Sequence, residues 1–192
     1  MENQKLKIGL LGGSFDPIHL GHIRLATWTR KKLSLDKIIF VPAAIPPHKQ
    51  HLALTDPHHR LQMLKIALKN ETSFEVSNVE LERQGISYTI DTVLFFKNKY
   101  NLQKKNLYLL IGADNLVYFQ NWKEPQKICD NCQVCVYRRP GIDLSSLVAE
   151  LQKQVVFLKT PLIPISSSLI RFKIKSEQMF NDLVPQEVID YI

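Results

Sequence analysis

Apolar residues along this chain fall into short blocks, with helical periodicity between them. Leu6–Leu11 is a short apolar run ending at Gly12-Gly13, and Ile38–Val41 is another, closed by Pro42. Leu107–Ile111 is stopped by Gly112, Val134–Tyr137 by Arg138-Arg139-Pro140-Gly141, and Val155–Leu158 by a turn through Pro161–Pro164. Such blocks, bounded by turn residues, read as strands buried on both faces. Phe74–Val79 reads as a further strand. A helix is predicted from near His19–Gly21 to about Lys32. A second starts at Pro57, after Asp56 as N-cap, with Leu61, Leu64 and Leu68 on one face. A third runs from Tyr88 through Ile90, Val93 and Leu94, with short helical segments through Tyr118 and the Trp122 region. Ala43–Asp56, containing Pro46-Pro47-His48-Lys49, reads as a long loop. Ser166-Ser167-Ser168 opens a last helix, and roughly Ser167 to Ile192 reads as helices beside the main sheet. This alternation predicts an α/β fold with a mostly parallel sheet covered on both faces.

Composition narrows the class. A length of 192 residues suits one domain, 1–192, of which about 167–192 form a C-terminal helical subregion. Hydrophobic residues make up 45%, enough to offset ordering entropy, so the chain is not disordered. No apolar run reaches the roughly 18 residues that span a bilayer. The N-terminus reaches its Gly pair too soon for a signal peptide, so a cytoplasmic protein without a membrane partner is expected. Lys and Arg outnumber Asp and Glu by 25 to 18, giving net charge +7. That surplus fits nucleic acid, small phosphorylated ligands or a plain solvated surface. The basic residues occur as pairs such as Lys31-Lys32 and Arg138-Arg139, with no basic helix or aromatic-basic interleaving. Nucleic acid is therefore the weaker reading. Cys129, Cys132 and Cys135 are spaced C-x-x-C-x-x-C, but a ferredoxin-type cluster lacks its fourth thiolate and no histidine lies nearby. They read as core cysteines.

Chemistry concentrates at two places. The first strand delivers Gly12-Gly13-Ser14-Phe15-Asp16-Pro17-Ile18-His19-Leu20-Gly21-His22. In open α/β sheets ligands sit outside the strand carboxyl ends, and adjacent glycines let backbone N–H groups approach a phosphate. No G-x-G-x-x-G follows this strand and no G-x-x-x-x-G-K-[ST] occurs, which excludes an ordinary dinucleotide dehydrogenase and a P-loop ATPase. His19 and His22 are neighbours on one helical face. Two imidazoles at a helix N-terminus suit phosphoryl or nucleotidyl transfer. The second place is Ile165-Ser166-Ser167-Ser168-Leu169-Ile170-Arg171, where serine hydroxyls, helix N–H groups and Arg171 form an anion site.

These residues resemble the nucleotidyltransferase superfamily with His-x-Gly-His and Ile-Ser-Ser-x-x-Ile-Arg motifs. More narrowly, the chain resembles bacterial nicotinate-nucleotide adenylyltransferases over nearly its whole length. The stretches carrying this are Gly12–His22, Pro46–Lys49, Ser87–Thr92, Gly112–Trp122, Arg139–Gly141, Ile165–Arg171 and the closing Leu183-Val184-Pro185…Val188…Tyr191-Ile192. The resemblance implies a Rossmann-like doubly wound fold and transfer of AMP from ATP to nicotinate mononucleotide, giving deamido-NAD and pyrophosphate. It implies direct in-line attack, with Mg²⁺ bound mainly by ATP phosphates and water.

By position, the resemblance makes His19, His22 and Arg171 catalytic, with His22 nearest the reacting phosphorus. Gly12, Gly13, Ser14, Phe15, Ser167 and Ser168 would bind ATP. Lys49, Thr89, Asp114 and Trp122 would bind the pyridine nucleotide, through its phosphate, ring carboxylate, ribose and ring respectively. From the residues alone, Lys49 is equally a solvated loop lysine, Asp114 a helix N-cap, Thr89 a plain helix start and Trp122 a core residue. Ser14 and Ser168 stand where the family often has Thr, and Ser176-Glu177 replaces an expected Gly-plus-basic pair. Pantetheine-phosphate and nicotinamide-mononucleotide adenylyltransferases are the rival enzymes. The first typically carries Thr where His19 stands.

Overall fold

The computed structural model describes residues 6–47, 53–139, 141–142 and 149–192. Lys49 and the rest of 48–52 lie outside the described residues. Six strands run in chain order as β1 (Ile8–Gly13), β2 (Lys37–Pro42), β3 (Phe74–Val76), β4 (Leu107–Gly112), β5 (Gln133–Tyr137) and β6 (Val155–Leu158). The helices are α1 (Leu20–Leu33), α2 (Pro57–Leu68), α3 (Val79–Arg83), α4 (Thr89–Lys99), α5 (Ala113–Leu116), α6 (Pro125–Asn131), α7 (Ala149–Gln154), α8 (Ser167–Lys175) and α9 (Gln186–Ile189). Every strand pair is parallel, in the order β3-β2-β1-β4-β5-β6. This is the doubly wound Rossmann order, whose direction reverses between β1 and β4.

Strand alternation divides the apolar residues between two cores, one per face. Leu10, Ile39, Leu109 and Val136 pack with α4 and α6 residues such as Val93, Phe96 and Ile128. Leu11, Phe40, Leu110 and Tyr137 pack with Leu25 and Ala26 of α1, Leu64 of α2 and Ile170 and Val188 of α8 and α9. The C-terminal helices therefore close the second face. No helix among the described residues is long and apolar enough to cross a membrane.

The cysteines follow the same alternation. Cys129 and Cys132 belong to the first core and Cys135 to the second, so the three do not converge on one point. Burial pushes the Cys135 thiol up to about 12 and raises the other two as well, leaving all three as small apolar fillers.

Two boundaries differ from the sequence pattern. β1 continues through Gly12 and Gly13, which pair with Val41 and Pro42 in parallel register. β3 stops at Val76, and Val79 instead begins α3 as a buried helical residue. β3 is an edge strand with only β2 beside it, so a short ladder suffices and the chain turns back to bury Val79.

Candidate active site

The β1–β4 ladder ends at Leu11↔Leu110, while both strands run on to glycines, Gly13 and Gly112. The strands part there, and the crevice between them is the place where doubly wound folds hold ligands. Phe15 follows with φ 47°, a left-handed conformation that folds its ring back into the core. A Cβ on Gly13 would sit 3.2 Å from that ring, which explains the second glycine of the pair. Phe15 then lies against Phe40 at 5.8 Å and edge-on to His22 at 4.9 Å.

His19 is the N-cap of α1, and its backbone N–H donates to His22 Nδ1 at 3.3 Å. That bond makes Nδ1 the acceptor and leaves the ring proton of a neutral His22 on Nε2. The two imidazoles stack at 3.7 Å, tilted by 20°. Gly21 makes room for this, because a Cβ there would meet His19 Nδ1 at 2.9 Å and Ile163 at 3.1 Å. His19 is only 2% exposed, and burial, aided by the Arg139 charge, drops its pKa from 6.5 to about 3.

That depression has a measurable consequence for stability. Above the unfolded value of 6.5 His19 is neutral in both states and contributes no pH dependence. As pH falls from 6.5 towards 3, the unfolded chain takes up a proton that the folded site refuses. Stability should then fall by about 1.4 kcal/mol per pH unit from this residue alone. Urea unfolding of wild type and His19→Gln should show the wild type losing about 2 kcal/mol more between roughly pH 6.5 and 5. Equal losses in both proteins would place the acid sensitivity elsewhere.

The second motif is tied to the first by hydrogen bonds. Ser166 caps α8, accepting from Leu169 N–H at 3.2 Å. Ser167 Oγ donates to the Pro17 carbonyl at 2.9 Å. Arg171 Nη1 donates to the Asp16 carbonyl at 2.7 Å and lies 3.8 Å from its carboxylate, while Nη2 reaches Ser168 Oγ at 3.4 Å. His19, His22, Ser14, Phe15, Ser167, Ser168 and Arg171 thereby border one cleft of about 460 Å³. Asp114 and Arg139 close its far side, with Arg139 Nε 3.7 Å from Asp114 Oδ1. A Cβ on Gly112 would overlap the tip of the Asp114 side chain, which would then have to swing aside.

A smaller cavity of about 140 Å³ opens between the parted strands, lined by Gly12, Gly13, Ala43, Glu80, Thr89 and Trp122 among others. Thr89 is the first residue of α4, and Trp122 is half-buried with its ring 5.2 Å from Phe119. Thr89 and Trp122 also border a hollow of about 90 Å³ beside Tyr88 and Lys123. Gly13 and Ser14, adjacent in the chain, thus line one cavity each. The structure separates Asp114 from Thr89 and Trp122, placing it in the larger cleft. From the sequence, Arg139 was named within the Arg139–Gly141 stretch but given no role in the site, and Glu80 was not singled out. The further signal was that Arg139 follows a strand's carboxyl end.

The cytidylyltransferase-like family model matches residues 10–173. The nicotinate-nucleotide adenylyltransferase of Bacillus subtilis is 38% identical over 186 residues, covering 97% of this chain and 95% of its own. The probable nicotinate-nucleotide adenylyltransferase of Bacillus licheniformis is 40% identical over 186 residues, covering 97% of this chain and 95% of its own. In fold, the chain matches the Plasmodium falciparum nicotinic acid mononucleotide adenylyltransferase complexed with NaAD, with TM-score 0.77 at 23% identity, covering 97% and 94% of the two chains. With full-length relatives at this identity and the two motifs clasped around one cleft, the chain belongs to the nicotinate-nucleotide adenylyltransferase family.

Proposed function

We propose that the protein transfers AMP from ATP to nicotinate mononucleotide, forming deamido-NAD and pyrophosphate. The observation that carries this reading is a pair of cavities flanking the Gly13-Ser14 peptide, one phosphate-binding in character and one pyridine-sized. Family membership supports the same reading. An oxygen of the mononucleotide phosphate attacks the α-phosphorus of ATP. The new P–O bond forms as the bond to the β-phosphate oxygen breaks, and pyrophosphate leaves with that electron pair. No enzyme nucleophile is required, so positioning and charge stabilisation carry the rate.

In this scheme His22 Nε2–H donates to an α-phosphate oxygen as negative charge builds there. His19 stays neutral and supports the stack, while Ser14 and Phe15 border the triphosphate and the preceding Gly12-Gly13 pair lines the neighbouring acceptor cavity. Ser167, Ser168 and Arg171 hold the β- and γ-phosphates and the departing pyrophosphate. Asp114 accepts from ribose hydroxyls, Trp122 stacks on the pyridine ring, and Thr89 receives the ring carboxylate. Lys49, outside the described residues, keeps the assignment to the mononucleotide phosphate that the resemblance implies. A pocket that presents only donors to the ring substituent favours the acid over the amide, whose N–H groups would lose their hydrogen bonds.

The donor chemistry of the cleft also bears on Mg²⁺. Asp16 is 2% exposed and turned towards Thr55 N–H and Arg171, and Asp114 faces Arg139. The imidazoles, hydroxyls and guanidinium that remain suit phosphate oxygens. Mg²⁺ therefore fits as the companion of ATP, held by phosphates and water, where it neutralises triphosphate charge. The reading is tested by pyrophosphate release from ATP and Mg²⁺ with each pyridine mononucleotide in turn. Turnover with nicotinate mononucleotide, well above that with the amide, is expected. Failure with both would sink the assignment, and equal efficiency would break the acid preference alone.

A further inference from the structure

One buried acid in the smaller cavity is unused by this mechanism. Glu80, in the first turn of α3, is 7% exposed and lines the cavity with Ser87, Thr89 and Thr92. Its Oε1 takes a short hydrogen bond from the Thr92 hydroxyl, and its carboxyl takes another from Ser87. Ser87 Oγ accepts from Ala44 N–H at 2.8 Å, and Ser87 N–H donates to the Ile45 carbonyl at 2.9 Å. One carboxyl thus fastens α3, the start of α4 and the loop leading to Pro46 and Pro47.

We propose that Glu80 is a positioning residue for the acceptor, setting the Ser87 and Thr92 hydroxyls in the wall that receives the acid substituent of the pyridine ring. This rests on nicotinate mononucleotide being the acceptor. Among the described residues, the charged groups around Glu80 are Arg83 on its own helix and Asp91 on α4. Arg83 Nη2 donates to Thr92 Oγ1 at 3.3 Å, and Asp91 is paired with Lys123 at 3.5 Å. The rest of the described cavity wall, from β1, β2, the following loop, β4, β5 and the Trp122 segment, is uncharged, and its one further titratable group is Tyr137 of β5, whose pKa burial raises.

Burial above all raises the Glu80 pKa, against the two hydroxyl bonds and Arg83, and Asp91 adds to the rise. A ring carboxylate entering the same cavity acts in the same direction, since like charges resist joint ionisation. Protonated, Glu80 donates to Thr92 Oγ1. The two lone pairs of that oxygen are then filled by Glu80 and Arg83, and its own hydrogen turns into the cavity as a donor. Acid binding is thereby coupled to holding one proton on Glu80.

The test is the KM for nicotinate mononucleotide, profiled over roughly pH 5–9 beside the KM for ATP, in wild type, Glu80→Gln and Glu80→Ala. The wild-type acceptor KM should climb several-fold with pH as Glu80 loses its proton. Glu80→Gln cannot ionise and should lack that climb, while the acceptor's phosphate titrates in both and cancels in their ratio. Glu80→Ala should raise the acceptor KM about tenfold, as expected for a buried hydrogen-bond hub, with the ATP KM within about twofold. Parallel wild-type and Glu80→Gln profiles, or an acceptor KM left within about twofold in Glu80→Ala, would overturn the proposal. Should Glu80→Ala not fold, the Glu80→Gln profile decides alone. Wild type inactive on both pyridine mononucleotides would overturn the functional reading and this inference together. Normal turnover with parallel profiles overturns only the inference.

Discussion

Replacing His22 by Ala should lower kcat by about 10³-fold, the loss typical of removing one preorganised donor from a transition-state anion. The ring's orientation is set before any ligand arrives. His19 N–H fixes Nδ1 at 3.3 Å, His19 stacks on one face at 3.7 Å, and Phe15 stands edge-on at 4.9 Å. Little reorganisation is then needed when charge develops on the α-phosphate. Because the interaction strengthens in the transition state, the loss should fall on kcat rather than on the KM for ATP. Melting by circular dichroism should stay within a few degrees of wild type, since the residue is only half-buried. A kcat within about tenfold of wild type would remove His22 from the reacting centre.

The legible part of this site is the part carried by local pattern. Short apolar runs ending in glycine marked β1 and β4, and the crevice lies at those glycines. Ser166 acts as the N-cap that its Ser-rich context indicates, and His19 and His22 share a face because three residues make nearly one helical turn. That Ser167 and Arg171 close on Asp16 and Pro17 is a contact across about 150 positions, consistent with the motifs but invisible to spacing. Asp114 shows the same limit. Its place after a strand end was evident, yet the charged partner it faces, Arg139, comes from the segment just past β5.

Glu80 was hidden for a different reason. Phe74–Val79 has strand-like composition, and reading it as one strand puts Glu80 in a loop. The edge position of β3 shortens the ladder and hands Val79 and Glu80 to a helix, which buries a carboxyl against α4. Polar residues whose partners lie in other elements carry no periodic signature. They emerge only when the segments they join are brought together.

Arg60 is the extreme of that kind, and Arg60→Met should cost about 3–5 kcal/mol of stability, as breaking a buried charged network does. Its side chain is 1% exposed, with the ordinary basicity of the guanidinium lowered by burial while Asp16 and Asp56 oppose the shift. Nε donates to the Thr55 carbonyl at 2.8 Å, Nη1 to Ser14 at 2.8 Å and Nη2 to Ala44 at 3.3 Å. Ser14, after β1, and both ends of the Ala43–Asp56 stretch are thereby pinned to α2. Methionine fills much of the volume but leaves those carbonyls without their partner. At the 2–4 °C per kcal/mol typical of this chain length, the melting temperature should drop by roughly 10 °C. Displacement of Ser14 should also raise the KM for ATP. Arg60→Lys is the discriminating variant, because one ammonium cannot reproduce a planar fork with three divergent bonds. It should lose at least about 2 kcal/mol. If Arg60→Lys melted with wild type and kept its kcat/KM, charge alone would suffice and the fork geometry would not be what holds the loops.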